Sequence, residues 1–284
     1  MALTLYLDTN VFRHLTDAGE SALRDAASTK QILILLSAVN LDELLGALET
    51  ASEEAVLPRI QRLLRLVDHR RILKDTAMLL TDDIRSYADS GRAAEPVLSG
   101  EDLLYASARL GALLLETSEK SRIARLSVVH KAKEQKESFL LGMNDRYMDM
   151  LHDTEKIRGV SFEYLWHSQS LRTAEYYATR VGVLDDCRRR GIEGLLKIKG
   201  VRMAVGTALS YFYAKSLQKQ PQAVRIGDSR DLQHAVLAAS RADVFVTMDN
   251  RLRDLVARVP MDHLRVLAFD DLLKELENRG PITR

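Results

Sequence analysis

Short apolar runs alternate with stretches of helical periodicity near both ends of the chain. Mostly apolar runs occupy residues 3–7, 32–36, 243–247 and 264–267, each too short for a buried helix, and 71–73 is a shorter candidate of the same kind. Such runs, bounded by polar residues, predict buried strands. Because continuous apolar strands separated by helices are typical of parallel sheets covered on both faces, we expect an α/β fold with a parallel sheet sandwiched by helices.

The middle of the chain has a different pattern. From about residue 76 to residue 225, long helical patterns follow one another with few glycines or prolines, and the α/β pattern returns at Ile226. Each half alone is too small to bury a doubly wound core, so we expect both halves to share one sheet. The predicted organisation is a core of residues 1–90 and 226–284, interrupted by a mostly helical insertion at 91–225.

Composition excludes several classes of protein. The 284 residues carry 41 Lys and Arg against 40 Asp and Glu, so a basic nucleic-acid surface must be local. The single cysteine, Cys187, excludes a disulfide framework and a Cys-rich zinc site. The first residues lack a signal-peptide pattern, and no apolar run approaches the roughly 18 residues of a membrane span. We therefore expect a cytoplasmic protein with no membrane partner.

Four acidic residues occupy comparable places in this pattern. Asp8 ends the first predicted strand and Asp249 follows the fourth, while Glu43 and Asp231 lie near the starts of helices next to predicted strands. In open parallel sheets, binding sites form outside the carboxyl ends of the strands, where the strand order reverses. All four carboxylates can reach that edge.

Clustered carboxylates need a counter-charge, because like charges a few ångströms apart repel each other and raise each other's pKa. Mg²⁺ and Mn²⁺ prefer oxygen ligands and bind through a few carboxylates together with a substrate phosphate. We therefore expect Asp8, Glu43, Asp231 and Asp249 to be both the metal ligands and the catalytic residues of a hydrolase that acts on phosphodiesters.

Each acid also has a structural alternative. Asp8 could form a local turn, Glu43 could stabilise a helix N-terminus, and Asp249 could cap the helix that follows it. Asp231 competes with Asp228 as the acid of its helix; we prefer Asp231 and assign Asp228 a supporting role.

Polar neighbours complete the predicted site. Asn10 is expected to tie down the loop after Asp8, and Thr247 to hold a metal-bound water near Asp249. His234 follows Asp231 by three residues and therefore lies on the same helix face. A buried packing histidine is the commoner role for such a residue, and a role at the edge of the site is the alternative.

The residues around the acids resemble the PIN-domain family. The similarity lies in LYLDTNV at 5–11, SAVNLDEL at 37–44, DLQHA at 231–235 and VFVTMD at 244–249, and it covers roughly residues 1–90 and 226–270. It implies a parallel sheet sandwiched by helices and a metal-dependent nuclease site. The sequence departs from compact family members, because a long insertion precedes its third acid.

The resemblance implies an endoribonuclease, often the toxin of a toxin–antitoxin pair, with a homodimer and a protein inhibitor as partners. Two alternatives remain open. One is a nuclease acting on DNA or structured RNA in repair or defence, and the other is an inactive PIN-like scaffold that binds a partner through its insertion.

The end of the insertion is a candidate substrate surface. Residues 201–225 contain no acid, and basic residues alternate there with Tyr211, Phe212 and Tyr213. Basic groups interleaved with aromatic rings can bind phosphates and stack unpaired bases, although a solvated basic helix face with buried aromatic residues has the same pattern. The candidate substrate-binding residues are Arg202, Lys215, Lys219 and Arg225.

Overall fold

The computed structural model describes residues 2–47, 53–114, 159–217 and 226–279. Within these ranges the protein is a mixed α/β structure built on a five-stranded sheet in the order β3-β2-β1-β4-β5. The strands are β1 (Leu3–Leu7), β2 (Ile32–Ser37), β3 (Val67–Leu73), β4 (Val244–Val246) and β5 (Arg265–Leu267). All four strand pairings are parallel, which confirms the α/β fold with a parallel sheet.

The strand order reverses at β1. The chain moves outward from β1 to β2 and β3, and later returns to place β4 on the other side of β1. The backbone N–H of Asp8 donates to the carbonyl of Val246 at 2.9 Å, so the carboxyl ends of β1 and β4 lie side by side. This is the switch point at which open α/β sheets bind ligands.

The first half of the chain contributes six described helices. Their bounds are α1 (Thr9–Arg13), α2 (Asp17–Ser28), α3 (Ala38–Ala47), α4 (Glu53–Leu64), α5 (Thr76–Ser90) and α6 (Gly100–Leu114). The start of α3 shows how the sequence sets these bounds. Ser37 Oγ accepts from the N–H of Asn40, and Asn40 Oδ1 accepts from the N–H of Ser37, which is a reciprocal capping box.

The second half contributes α7 (Phe162–Val181), α8 (Leu184–Arg190), a 3-10 helix (Ile192–Lys197), α9 (Lys199–Ser216), α10 (Ile226–Arg241), α11 (Asn250–Ala257) and α12 (Phe269–Arg279). Every helix in the described ranges is too short or too polar to span a bilayer.

Two apolar cores cover the two faces of the sheet. Alternate residues of β1 point to opposite faces, so Tyr6 joins one core while Leu5 and Leu7 join the other. The Tyr6 core is closed by α5 and by α7 to α11, and the Leu5 core by α1 to α4, α6 and α12. The described part of the 91–225 stretch is therefore divided between both faces, with α6 on one and α7 to α9 on the other.

Candidate functional site

The four predicted acids lie at the carboxyl edge of the sheet. Asp8 directly follows β1, Asp249 follows β4, and Glu43 and Asp231 lie in the second turns of α3 and α10. We call these four residues together with His234 the acid cluster. Their charges act on one another: the carboxylates of Asp8, Asp249 and Glu43 all contribute to the pKa of Asp231.

Asp8 is held from two sides. Only 2% of its surface is exposed, and the Thr247 hydroxyl donates to its Oδ2 at 2.8 Å. Its Oδ1 accepts from the N–H of Asn10 at 3.4 Å as Asp8 caps α1. The turn-forming role and a position in the site therefore coexist in this residue.

Asp249 also combines two roles. It is the N-cap of α11, and its Oδ1 accepts from the N–H groups of Arg251 at 2.7 Å and Leu252 at 3.1 Å. Thr247 Oγ1 accepts from the N–H of Asp249 at 3.1 Å and thereby connects it to Asp8. The cap orients this half-buried carboxyl toward a fixed position beside the end of β4.

Glu43 does not cap its helix, because Ser37 and Asn40 already do so. It is 7% exposed, and its Oε2 lies 2.9 Å from His234 Nε2, while its Oε1 lies 3.6 Å from Arg230 Nε. Burial alone would raise the pKa of Glu43. The charge and hydrogen bond of His234, a hydrogen bond from Thr9 and the charge of Arg230 together lower that pKa to about 2.

His234 lies at the centre of the cluster. It is 1% exposed, and Nε2 lies 3.7 Å from Asp8 Oδ1 in addition to its contact with Glu43. Burial lowers its pKa, but Glu43, Asp8 and Asp231 together raise it above the ordinary value. A histidine between carboxylates therefore offsets part of their charge.

A chain of hydrogen bonds lies behind His234. Its Nδ1 lies 2.8 Å from the Tyr6 hydroxyl, which lies 2.8 Å from Ser37 Oγ, and Ser37 Oγ lies 2.9 Å from Asn40 Oδ1. On the other side of the ring, Nε2 lies 2.9 Å from the Glu43 carboxylate. This chain fixes the orientation of the ring, and a protonated ring would donate from both nitrogens.

Asp231 is the least compensated acid of the cluster. Burial, then the charges of Asp8 and Asp249, raise its pKa to about 7, and the charge of His234 opposes this only in part. The cluster therefore holds more negative charge than its own histidine balances.

This charge and donor set fit a metal ion. Ligand atoms of Asp8, Glu43 and His234 all lie within 4.8 Å of one another, and all three residues are buried, although His234 could act as a ligand only through a deprotonated nitrogen. This group does not by itself discriminate Mg²⁺ or Mn²⁺ from other ions. Burial and the negative charges of neighbouring acids raise the pKa of Asp231, and a bound divalent cation would offset those negative charges.

The predicted supporting residues have distinct positions. Thr247 is fully buried and donates its hydroxyl hydrogen to Asp8. The sequence instead predicted that Thr247 holds a metal-bound water. Asn10 reaches Asp8 through its backbone N–H, in keeping with a loop-forming role. Asp228 lies in the first turn of α10.

The predicted substrate-binding residues are separated. Arg202 and Lys215 lie near opposite ends of α9, with Arg202 stacked 5.7 Å above the ring of Trp166. Lys215 is buried, and its Nζ lies 5.3 Å from the ring centre of Tyr211. The exposed Arg251, beside the cap Asp249, stacks on the same ring at 5.5 Å. Lys219 and Arg225 lie outside the described residues.

Sequence reasoning underestimated His234 and missed Tyr6, Arg13 and Arg230. For His234 a signal existed, since it lies one helical turn from Asp231 and faces the same side. Arg230 adjoins Asp231 in sequence, and Arg13 follows Asp8 by just over one helical turn, but neither position singles out an arginine. Tyr6 lies within an apolar strand, where its hydroxyl gives no separate signal.

Comparisons with protein-family models, with curated proteins and with solved structures found no match to this chain.

Proposed function

We propose that this protein is a metal-dependent nuclease that hydrolyses phosphodiester bonds in RNA. The observation that carries the proposal is the convergence of Asp8, Glu43, Asp231 and Asp249 on the carboxyl edge of the sheet, where the strand order reverses. Independent elements contribute these acids, so no single local turn or helix cap accounts for the whole group.

Asp8, Asp249, Asp231 and Glu43 are the residues that would hold Mg²⁺ or Mn²⁺. Carboxylate oxygens are the ligands these ions prefer, and the excess negative charge around Asp231 favours a divalent cation. When bound, such an ion supplies charge neutralisation and Lewis acidity at a phosphodiester.

The surrounding residues hold the carboxylates in place. Thr247 positions Oδ2 of Asp8, and the α11 N-terminus positions Oδ1 of Asp249, while His234 and Thr9 position Glu43. Side chains held in this way lose little conformational freedom when a ligand binds, which is how preorganised sites gain affinity and rate. The role of the chain is to place a rigid group of oxygens where a phosphate can approach.

The choice of RNA as substrate follows from the resemblance to PIN domains, as do the endonucleolytic mode, a toxin role, a homodimer and an inhibitory protein partner. DNA and structured RNA are the competing substrates. They differ from single-stranded RNA in the 2′-hydroxyl and in base pairing, so direct competition separates them.

The test is cleavage of labelled single-stranded RNA, structured RNA and DNA by the purified protein with Mn²⁺, with Mg²⁺ and with EDTA. The Asp8→Asn variant is run beside it, with Asp254→Asn as the matched control because Asp254 is an exposed acid on α11. We expect metal-dependent cleavage that Asp8→Asn loses and Asp254→Asn retains.

Two outcomes would contradict the proposal. Equal turnover by Asp8→Asn and the wild type would exclude the acid cluster as the active site. Absence of cleavage on every substrate, together with absence of metal binding, would favour an inactive scaffold that binds a partner through its helices.

A further inference from the structure

Two arginines flank Glu43 from different elements. Arg13, the last residue of α1, donates from Nη2 to the backbone carbonyl of Glu43 at 3.1 Å. Arg230, on α10, places Nε 3.6 Å from Glu43 Oε1. Both guanidinium groups therefore lie beside Glu43, although their residues are far apart in sequence.

Neither arginine has all of its donors in hydrogen bonds. The Nε atoms of Arg13 and Arg230 are buried without a hydrogen bond, and Arg230 Nε has only its 3.6 Å ion-pair contact with Glu43 Oε1. A buried donor without a partner is destabilising. Arg13 is half-buried and the Arg230 side chain is 37% exposed, so each guanidinium is partly withdrawn from water and still accessible.

The need to neutralise Glu43 does not by itself explain why two arginines lie beside it. His234 already gives Glu43 a charged hydrogen bond at 2.9 Å, which is closer than either arginine comes to its carboxylate. Within the described parts of the chain, no carboxylate lies within ion-pair distance of Arg13. A guanidinium that is partly buried and lacks a carboxylate partner is suited to an anionic ligand.

We propose that Arg13 and Arg230 together bind one phosphate of a nucleic-acid strand, next to the phosphate that is cleaved at the acid cluster. The inference rests on the proposed nuclease function and specifies its substrate as a strand with at least two phosphates. The arginines lie beside Glu43, whereas Asp249 follows β4, which is on the other side of β1 from β2. A strand that crosses this edge can place successive phosphates at the arginines and at the acids.

The competing role for the arginines is to balance the charge of the acid cluster. The two roles predict different measurements. A phosphate contact contributes to the salt dependence of binding, because each neutralised phosphate of a single strand changes the slope of log K against log salt by about 0.7. Charge balance instead predicts a change in the affinity for Mn²⁺, with the salt dependence left unchanged.

The experiment measures binding of a short labelled single-stranded RNA, and of DNA of the same sequence, by fluorescence anisotropy over a series of salt concentrations. The protein carries Asp8→Asn to prevent cleavage. Arg13→Gln, Arg230→Gln and their combination are compared with Arg241→Gln, an exposed arginine at the far end of α10. The same variants with Asp8 intact are titrated with Mn²⁺ and tested for cleavage.

We expect the double variant to bind the strand about 10-fold or more weakly and to lower the salt slope by about 0.7, with the affinity for Mn²⁺ retained. Arg230→Lys should keep the slope but recover only part of the affinity, because an ammonium group lacks the guanidinium fork. Arg241→Gln should match the parent protein.

A salt slope and affinity equal to those of Arg241→Gln would overturn the inference, as would a changed Mn²⁺ affinity with an unchanged slope. Failure of the nuclease proposal gives a different result, since the wild-type protein would then neither bind Mn²⁺ nor cleave a strand. If the wild type cleaves the strand and the arginine variants bind it as the parent protein does, the arginine site is rejected and the nuclease proposal stands.

Discussion

Glu43 and Asp83 are both buried carboxyl groups, yet their surroundings shift their pKa values in opposite directions. Glu43, in the acid cluster, has a pKa lowered to about 2 because His234, Thr9 and Arg230 more than offset its burial. Asp83, on α5, has a pKa raised to about 6, chiefly because of burial. Its Oδ1 accepts from the N–H of Ala94 at 2.9 Å, and the charge of Lys74 also lowers its pKa in part.

The setting of Asp83 is also different. It lines a cavity of about 550 Å³ between α5, the 3-10 helix and the start of α9, and its Oδ2 would lie 2.9 Å from a Cβ added at Gly200. The carboxyl thus lies against the first turn of α9, where a helix N-terminus stabilises an acid. Burial of an acid alone therefore does not mark a candidate site. The acid cluster differs from Asp83 in that several acids and cations from different elements converge on it.

The two largest predicted effects are losses of stability, one in the acid cluster and one in the helical layer formed by α7, α8 and α9. His234→Asn breaks a buried charged pair and should cost about 3–5 kcal/mol in the free energy of unfolding, measured by urea denaturation. Phe212→Ala removes a buried side chain of α9 and should cost a similar amount, about 3–5 kcal/mol. Saturating Mn²⁺ should restore part of the loss for His234→Asn beyond any gain it gives Phe212→Ala, because the cation replaces the missing positive charge.

An equal response of the two variants to Mn²⁺ would contradict this distinction. The wild type in EDTA and in Mn²⁺ supplies the reference for each variant, since ligand binding to the folded state stabilises any protein that retains the site.

The second prediction concerns Asp83 and the pH dependence of stability. A carboxyl whose pKa is raised to about 6 in the folded state binds more protons than the unfolded chain, so its contribution to stability falls as the pH rises from about 4 to 6. Asp83→Asn removes this titration and keeps an acceptor for Ala94. The variant should match the wild type near pH 4 and be more stable by up to about 3 kcal/mol at pH 7.

Urea denaturation at both pH values measures this difference. A variant that is less stable than the wild type at pH 7 would show that the charge of Asp83 contributes more at the α9 N-terminus than its burial costs.

The smallest predicted effect concerns the hydroxyl that orients Asp8. Thr247→Val keeps the size of the side chain but removes the hydrogen bond to Oδ2, and cleavage should slow about 10-fold, the equivalent of about 1.4 kcal/mol. Thr207→Val is the matched control, because Thr207 is equally buried and bonds the Met203 carbonyl within α9. Equal rates for the two variants would show that Thr247 does not position Asp8 for the reaction.

Local patterns predicted four of the five strands well and the edge strand β3 less well. The continuous apolar runs located β1, β2, β4 and β5 to within about a residue, because buried parallel strands need apolar side chains on both faces. β3 is longer than the predicted 71–73, since Asp68, His69 and Arg70 interrupt its apolar pattern. β3 also pairs with β2 through a register shift between Ile34 and Leu36 that no periodicity reveals.

The site was predictable only in part. Asp8 and Asp249 directly follow strands, a position that the sequence reveals, whereas the contacts of Glu43 with His234 and Arg230 are visible only in the structure. The hydrogen bonds of His234 to Tyr6 and Glu43 join residues about two hundred positions apart. Such pairings depend on how α3, α10 and β1 pack together, and neither helical periodicity nor strand alternation encodes them.

The most direct test of the central claim, that the acid cluster is a metal centre, is a calorimetric titration of the wild-type protein with Mn²⁺ beside Asp8→Asn and Asp254→Asn. We predict that the wild type and Asp254→Asn bind the ion and that Asp8→Asn loses most of that affinity. Absence of binding to the wild type at millimolar Mn²⁺, or equal binding by all three proteins, would contradict the claim.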